Sequence, residues 1–576
     1  MTTLSQRAVR AVQLVLLSAA LAACGGGGGS GSDGTALKEP PTLPPAEQPS
    51  EKDTVRFLAQ AGFGAPTAAI ERTRRIGFEA WLAEQFALPQ SRHQPYVDAQ
   101  IEAAAAAGQS TNQHNWVYES FWRTAIEGND QLRHRVAFAL SQIFVVSLVD
   151  DNVGGYARGV ASYFDMLGRD AFGNFRVLLE DVALHPMMGL YLSHLRNQKE
   201  DPARGRVPDE NFAREVMQLF TIGLRELNPD GTPRLGAHNE PIETYTNEDV
   251  TGLAKVFTGW SWAGPDKSDT RFFGGNPHPD RAVLPMQSYP RFHSTSEKRF
   301  LGISISAQGS ADPEASLRAA LDRLVAHPNV GPFIGRQLIQ RLVTSNPSPA
   351  YVARVAAAFA DNGAGVRGDM KAVIRAVLLD PEARRPAPEA GDGKLREPVL
   401  RMAHWLRTFN GRSASGRFLI GNTDDPNSSL GQTPMRSPSV FNFYRPGYVP
   451  PNTGIAAAGL VAPEFQITHE SSVAGYLNAM RSALTSGAGS GNPRDVQPDY
   501  GEVIALADTP AALVDRIGLL LMAGEMSAEL RAQLIDAVGS VAISSSNAQS
   551  AANARLNRVR LAIFLTMASA EYLIQK

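Results

Sequence analysis

The chain has 576 residues, of which 43% are hydrophobic and 19% charged, a composition that supports a large core and excludes a disordered protein. Its 55 basic and 57 acidic residues give a formal net charge of −2, which argues against binding to nucleic acid through a bulk positive field. A single cysteine, Cys24, excludes both an intramolecular disulfide and a metal cage built from cysteines.

Residues 1–23 have the pattern of an export signal. Arg7 and Arg10 supply a positive start, an apolar run covers residues 11–20, and the small residues of LAAC end the segment at Cys24. The apolar run is shorter than the about 20 residues that a transmembrane helix needs. The segment resembles a bacterial lipoprotein signal, which implies cleavage before the cysteine and lipid on its thiol. The alternative is an ordinary secretory signal with a chance cysteine, and either interpretation predicts export.

Residues 24–51 are rich in glycine, serine and proline, and we expect them to be a linker. A flexible tether, CGGGGGSGSDG, precedes a stiffer spacer, KEPPTLPPAEQPS, and together they would hold a folded body away from a membrane. Gly25 rather than aspartate follows the cysteine, and by resemblance to proteobacterial lipoproteins this favours the outer membrane. We therefore expect a lipid-anchored protein of the cell envelope whose folded body covers residues 52–576.

From residue 52 onward the dominant hydrophobic period is that of α-helices. The segment QLRHRVAFALSQIFVVS, residues 131–147, is apolar nearly all round and predicts a buried central helix. TNEDVTGLAKVF begins at Thr246 with the spacing of a capping box and predicts another helix. The helical period fails over residues 260–302 and 411–454. We predict a mainly α fold, a large multi-helix body with two long irregular aromatic-rich loops and a short β-hairpin near residues 298–306.

A further helix is predicted over PDENFAREVMQLFTIGLRE, residues 208–226, which carries an apolar stripe and a second, polar one. The members of the polar stripe, spaced i, i+3, i+4 and i+7, are Asn211, Arg214, Glu215 and Gln218. We expect this stripe to face inward, against the helix that begins at Thr246. Arg214 should then pair with a carboxylate, because a buried charge persists only when it is paired.

Carboxylates beside an arginine and a histidine can perform acid–base chemistry on a glycoside, and exposed aromatic side chains suit sugar stacking or a protein partner. The candidate catalytic residues are Glu215, Arg214, Glu248 and His293. The candidate binding residues are Asn211, Gln218, Trp260, Trp262, Lys298 and Tyr444. The alternative interpretation is structural: the charged residues would fix helix packing, and the aromatic residues would cover the junctions between loops and helices.

The sequence assigns no cofactor. Thiolates are absent from the body and no two histidines have ligand spacing, so we expect no tightly bound transition metal and name no metal ligand. A calcium ion bound by carboxylate and carbonyl oxygens is still compatible with the sequence, and NTDDPN at Asn422–Asn427 is the preferred stretch for it.

Several motifs occur in a characteristic order, from RFLAQAGFG through HPMMGLYLSHL, ENFAREVMQLFTIGL, YTNEDVTGLAKVFTGW and LGQTPMRSPSVFNFYRPGY to ASAEYL. Together they resemble the bacterial domain of unknown function 1800 family over nearly everything after the linker. The resemblance implies one family unit and brings no reaction with it. Genes of family members often lie beside a gene for a secreted protein with an alkaline-phosphatase-like or sulfatase-like fold, so it also implies such a partner.

Two functions are compatible with these observations, and whether the protein is an enzyme stays open. The first is a surface or periplasmic binding and scaffolding lipoprotein that works with the phosphatase-like or sulfatase-like partner. The alternative is a polysaccharide-active hydrolase that uses the carboxylate, arginine and histidine cluster. The chain has no HExxH, P-loop, GxSxG or Cys–His signature, which favours the first function.

We expect Cys24→Ala to abolish lipid labelling and to leave an uncleaved or soluble exported form. The reason is that the thiol is the only lipid acceptor that the signal provides. Metabolic labelling with a fatty-acid analogue, followed by separation of membrane and soluble fractions, measures both effects. Lipid labelling that is unchanged in the variant would contradict the lipoprotein signal.

Overall fold

The computed structural model describes residues 40–386, 391–544 and 547–576. The expected signal peptide, Cys24 and nearly all of the expected linker lie outside these residues, so the lipid anchor stays a prediction. The chain from Thr42 to Lys576 forms one compact unit. Within the described ranges, no helix is both long enough and apolar enough to cross a bilayer.

The fold is mainly α-helical, which confirms the predicted class. In the first half of the chain the helices are α1 Glu51–Ala61, α2 Thr67–Ala87, α3 Gln94–Ala106, α4 Asn115–Glu127, α5 Gln131–Ser141, α6 Ala157–Asp170, α7 Phe175–Leu184, α8 Pro186–Tyr191, α9 Asn211–Gln218, α10 Asn247–Ala254 and α11 Asp269–Phe272. In the second half they are α12 Pro313–Ala326, α13 Val330–Leu342, α14 Pro349–Ala360, α15 Met370–Leu379, α16 Pro381–Arg384, α17 Pro398–Thr408, α18 Gly454–Ala457, α19 Glu470–Ser486, α20 Gly501–Ile504, α21 Pro510–Met522, α22 Ala528–Gly539, α23 Ala548–Ala568 and α24 Ala570–Leu573. Short 3₁₀ turns cover Pro45–Glu47, Pro202–Arg204, Pro290–Phe292 and Pro463–Ile467.

Short strands pair two by two, always antiparallel, in the part of the chain that the structure describes. The pairs are β1 Trp260–Ser261 with β2 Gln287–Ser288, β3 Lys298–Phe300 with β4 Ile303–Ile305, β5 Lys394–Leu395 with β8 Ile574–Gln575, and β6 Arg412–Ser413 with β7 Val496–Gln497. The hairpin of β3 and β4 confirms the one expected near residues 298–306. The pair of β5 and β8 holds the C-terminal end of the chain against its middle.

Helix α5 is the buried central helix that the apolar run at residues 131–147 predicts. Of its 11 residues, Arg133 alone is not buried. The helix ends at Ser141, and the chain stays buried through a turn in which the Ile143 N–H donates to the Leu140 carbonyl at 2.9 Å. Three β-branched side chains lie in the turn or directly after it, and such residues lose more side-chain freedom in a helix than unbranched ones.

The two segments predicted to be irregular differ in the structure. The first, over residues 260–302, is divided by β1, α11, β2, a 3₁₀ turn and β3. The second carries no helix or strand across residues 414–453, all of which are described. Side chains satisfy part of its backbone there: Thr423 Oγ1 donates to the Gln432 carbonyl at 2.6 Å, and the Thr423 N–H donates to Thr433 Oγ1 at 2.7 Å.

Helix α9 is shorter than the segment that predicts it. It covers only Asn211–Gln218. The chain continues in turns as far as Gly223, which has a φ of +70° and donates its N–H to the Met217 carbonyl at 3.0 Å. A Cβ on this glycine would lie 2.7 Å from the ring of Phe333 in α13. Glycine therefore ends the helix both because of its backbone conformation and because α13 approaches so closely.

Helix α10 begins with the predicted capping box. The Thr246 side chain accepts from the Asp249 N–H, and the Asp249 carboxylate accepts from the Thr246 N–H at 2.7 Å. The second oxygen of Asp249 accepts from the Leu301 N–H at 2.6 Å, in the turn between β3 and β4. One carboxylate thus starts the helix and attaches the hairpin to it.

The hairpin packs on α10 at a point where a side chain would not fit. A Cβ on Gly252 would lie 1.7 Å from the carbonyl oxygen of Arg299 in β3. We expect Gly252→Ala to lower the free energy of unfolding by about 1–3 kcal/mol, because helix and strand must move apart.

Chemical denaturation of the purified protein measures this change. Gly155→Ala is the matched control, since a Cβ at Gly155 would meet no atom within 4 Å, and we expect a change of less than about 0.5 kcal/mol. Equal effects of the two substitutions would contradict the close contact between α10 and β3.

Candidate functional site

The polar stripe of α9 lies partly at the surface, so the expectation that it faces inward is wrong for its first half. Asn211 is exposed, and Arg214 keeps 41% of its side-chain area accessible. Arg214 does pair with a carboxylate, at 3.4 Å, but the partner is Glu210, the residue directly before the same helix. Glu210 also accepts from Thr251 of α10 at 2.8 Å. Exposed pairs of this kind contribute about 0–1 kcal/mol.

Glu215 is the buried member of the stripe. It is 8% exposed, and its Oε2 atom has no hydrogen-bond partner among the described residues. Burial raises the pKa of this carboxyl, and the nearby Arg214 charge offsets only part of that effect. Among the described residues, Arg214 and Glu215 form no ion pair with each other, because Arg214 pairs with Glu210 instead.

The other two candidate catalytic residues lie in different surroundings. Glu248 is exposed at the start of α10. His293 is completely buried, with Nδ1 2.8 Å from the Thr258 carbonyl and Nε2 3.1 Å from the Ser316 hydroxyl. Burial lowers the pKa of His293 to about 4, so the ring is neutral at pH 7. Among the described residues, no hydrogen bond or ion pair joins His293 or Glu248 to Glu215, and the four candidates form no single cluster.

Lys298 is also buried, in β3. Its ammonium lies 3.3 Å from Gln308 Oε1 and 3.4 Å from the Ser296 carbonyl, and burial lowers its pKa. The nearby carboxylate of Glu200 accepts from the hydroxyls of Ser294, at 3.0 Å, and Ser296. These bonds hold the segment before the hairpin in place, so the surroundings of Lys298 resemble a structural network more than an open binding site.

The three candidate aromatic residues are covered rather than exposed. Trp260 and Trp262 are 4% and 5% exposed, and Tyr444 is 2% exposed. The Tyr289 hydroxyl donates to the Trp262 carbonyl at 2.6 Å, and the Arg281 guanidinium lies 4.8 Å from the Trp262 ring. These side chains join the loops to the helices, which agrees with the structural interpretation and leaves no free face for stacking a sugar.

Gln218, the last residue of α9, lines a pocket of about 380 Å³. We call it the α9 pocket, and its walls are apolar: Leu219, Leu224, Phe333, Val440, Phe441 and Pro446. Its floor consists of three polar side chains that are each at most 6% exposed: Gln142, Gln337 and Arg341. Its rim carries the exposed residues Arg225 and Arg445. The volume and the few convergent polar groups are typical of a small-ligand site.

The floor belongs to a buried polar network. Gln142 Nε2 donates to Glu397 Oε2 at 2.5 Å, and the Tyr444 hydroxyl lies 3.4 Å from Gln142 Oε1. The Arg341 guanidinium donates to the carbonyls of Gln142, at 3.0 Å, and Gln337, at 3.2 Å. Arg341 Nε and Gln337 Nε2 have no described hydrogen-bond partner. Two residues of the floor therefore each carry a buried donor without a partner.

Sequence reasoning named Gln218 and Tyr444 but missed the floor of the pocket. Gln337, Gln340 and Arg341 share one face of α13 at i, i+3 and i+4, the same signal that singled out the stripe of α9. That pattern could have found them. It could not have shown that Gln142 and Phe441 lie beside them, since those residues come from distant segments.

In the stretch preferred for calcium, Asn422–Asn427, carboxylate oxygens already bind groups of the same loop. Asp424 pairs with Arg436 at 2.7 Å, and Asp425 accepts from the Asn427 N–H at 2.9 Å and from the Ser428 hydroxyl. Throughout the described part of the chain, no group of three or more His, Cys, Asp or Glu side chains is placed to hold a metal ion.

We expect Glu215→Gln to stabilise the protein, and to do so increasingly as the pH rises. A carboxyl whose pKa is raised in the folded state contributes most stability at low pH and loses it as the pH rises through the folded pKa. Glutamine keeps the shape without the charge, so the difference from wild type should favour the variant more at pH 7 than at pH 4.

Urea unfolding of both proteins at several pH values measures this difference. Glu248→Gln, on the exposed end of α10, is the control and should change stability by less than about 0.5 kcal/mol. A Glu215→Gln protein that is clearly less stable than wild type at pH 7 would instead mean that the charge of Glu215 is needed for a contact.

The comparisons with known proteins identify a family and no more. The family described as "Protein of unknown function (DUF1800)" matches residues 56–574. No curated protein and no solved structure matches the chain. The matched range takes in α9, α10 and all the residues named for the α9 pocket, and it covers far more than half of the 576 residues. The resemblance seen in the sequence motifs is thereby confirmed, and the chain belongs to the DUF1800 family of proteins of unknown function.

Proposed function

We propose that this protein is a lipid-anchored binding and scaffolding protein of the cell envelope, held at the outer membrane through Cys24. On this proposal it binds its ligand or partner at the α9 pocket. The observation that carries the proposal is the pocket itself, whose apolar walls stand over a floor of buried donors. A preformed concave site with few polar groups is what binding needs, and it requires no catalytic residue.

The alternative, a polysaccharide-active hydrolase, draws little support from this geometry. Glycoside hydrolysis uses two carboxyl groups that face one bond, about 5–5.5 Å or 6.5–9.5 Å apart according to the mechanism. Glu215 is buried on α9, Glu248 is exposed on α10, and the hydrogen bonds of His293 go to Thr258 and Ser316. The aromatic residues that would stack on sugar rings are buried in the loop junctions.

The partner that we propose is a secreted protein with an alkaline-phosphatase-like or sulfatase-like fold, as the family resemblance implies. The rim of the α9 pocket suits a protein surface. Leu224 is 54% exposed, and Arg445 lies with its guanidinium 4.5 Å from the ring of Phe441. Exposed apolar, arginine and aromatic side chains around a pocket are typical of the centre of a protein interface.

We expect Leu224→Glu to weaken binding of the partner about tenfold or more, because the substitution removes an exposed apolar contact and introduces a carboxylate that must lose its water on binding. Leu235→Glu is the matched control, since Leu235 is 50% exposed and is not among the pocket residues. Surface plasmon resonance with the proposed alkaline-phosphatase-like or sulfatase-like partner measures both affinities. Equal binding by wild type and both variants would contradict a role for the pocket, and no binding by any of them would contradict the partner.

A further inference from the structure

The buried network beneath the α9 pocket contains more positive than negative charge. Its cations are Arg135, Arg341 and Lys394, and its carboxylates are Glu397 and Glu464, all at most 3% exposed. Lys394 and Glu464 pair at 2.8 Å. The Arg135 guanidinium donates to the Arg341 carbonyl at 2.7 Å, and Glu397 accepts from Gln142 and Gln432. Three cations against two carboxylates leave one positive charge in excess.

The residues next to this network do not remove the excess. Two further buried arginines, Arg396 and Arg401, lie beyond Glu397, with their guanidiniums 4.6 Å from the rings of Tyr572 and Tyr476. Their described hydrogen bonds go to backbone carbonyls, such as that from Arg401 Nε to the Arg396 carbonyl at 2.8 Å. They add positive charge rather than a counter-ion. A buried charge without a counter-ion is costly, so this region of the protein favours an anion.

Arg341 is where the network reaches the pocket. Its guanidinium forms no ion pair within 4 Å with any described residue, and Nε has no hydrogen-bond partner. Gln337, one helical turn earlier on α13, belongs to the same floor and carries a second unpartnered donor, Nε2. Both atoms are covered by their neighbours in the ligand-free protein, so a ligand reaches them only when the two side chains rotate. Two such donors on one floor, one of them cationic, match the two oxygens of a carboxylate.

The walls above these donors suit an apolar body. The pocket surface is formed mostly by aliphatic and aromatic side chains, and Phe333 and Phe441 supply the rings. A ligand that enters through the rim would place its apolar part between those walls and its head at the floor. A doubly charged or strongly hydrated head would lose its water over apolar walls that cannot replace it, so a single carboxylate fits best.

We propose that the α9 pocket binds a small amphipathic monocarboxylate, with its carboxylate at Arg341 and Gln337 and its apolar body against Phe333 and Phe441. The inference rests on the proposed function, since it names the ligand class of the site proposed there. The bound carboxylate neutralises the excess charge of the network and satisfies both donors. No bond is made or broken.

Calorimetric titration of the mature chain, residues 24–576 with Cys24→Ala to prevent lipidation, tests the ligand class. The probes are octanoate, its neutral isostere octanamide, and octylammonium. We expect octanoate to bind at least roughly tenfold more tightly than octanamide, because hydrogen bonds to charged groups are stronger than neutral ones. Octylammonium should not bind. Equal affinity for octanoate and octanamide would overturn the inference while leaving the pocket, and thus the proposed function, intact.

Two variants test the floor. Arg341→Met should abolish the preference for octanoate, but it also removes buried hydrogen bonds and can fail to fold. Gln337→Leu avoids that difficulty, since the lost Nε2 atom has no partner in the ligand-free protein. It should keep or raise the melting temperature and weaken octanoate binding roughly tenfold.

Arg204→Gln is the control: this arginine is 79% exposed and is not among the pocket residues, so octanoate affinity should change less than about twofold. Arg445→Gln tests the rim. A loss of octanoate binding in Arg445→Gln, with full binding in Gln337→Leu, would move recognition to the rim and overturn the inference. Octanoate that fails to bind wild type would also overturn it. The proposed function is judged separately, by partner binding in the Leu224→Glu and Leu235→Glu proteins.

Discussion

Lys394 and Glu464 form an ion pair of 2.8 Å in which both side chains are almost completely buried. The ammonium also donates to the Arg341 carbonyl at 2.9 Å, and the Arg135 guanidinium donates to the same oxygen at 2.7 Å. One carbonyl at the end of α13 thus joins α5 and β5, and the ion pair adds the 3₁₀ turn at Pro463–Ile467. Charges remain in such surroundings only when they are paired or hydrogen-bonded, so this contact fixes how four distant parts of the chain meet.

The α9 pocket depends on that junction. Hydrogen bonds to the buried network fix its floor residues: Gln142 donates to Glu397, and Arg341 donates to two backbone carbonyls. Gly223 lets α13 approach the end of α9, where a Cβ would meet Phe333 at 2.7 Å. The shape and charge of the pocket are therefore set by the folded protein before any ligand enters, which lowers the ordering cost of binding.

Helix α9 has two polar regions with different roles. Its first turns carry Asn211 and the exposed pair of Arg214 with Glu210, which touches α10 through Thr251 and adds little stability. Its last turn carries Gln218 at the pocket. Between them Glu215 is buried with one oxygen unpartnered. A spacing of i, i+3, i+4 and i+7 places these side chains on one helix face, but the neighbouring elements decide which of them meet solvent, core or pocket.

Features that depend on residues close together in the chain follow from the sequence: the helical class, the capping box at Thr246, the hairpin after Lys298 and the buried helix α5. The sequence did not predict which loop side chains are buried, because His293 is covered only when its segment packs on Thr258 and Ser316. The α9 pocket also needed the tertiary structure. Its floor and walls come from the turn after α5, the chain after α9, helix α13 and the loop over residues 414–453. Local periodicity carries no information about which of these distant segments pack together.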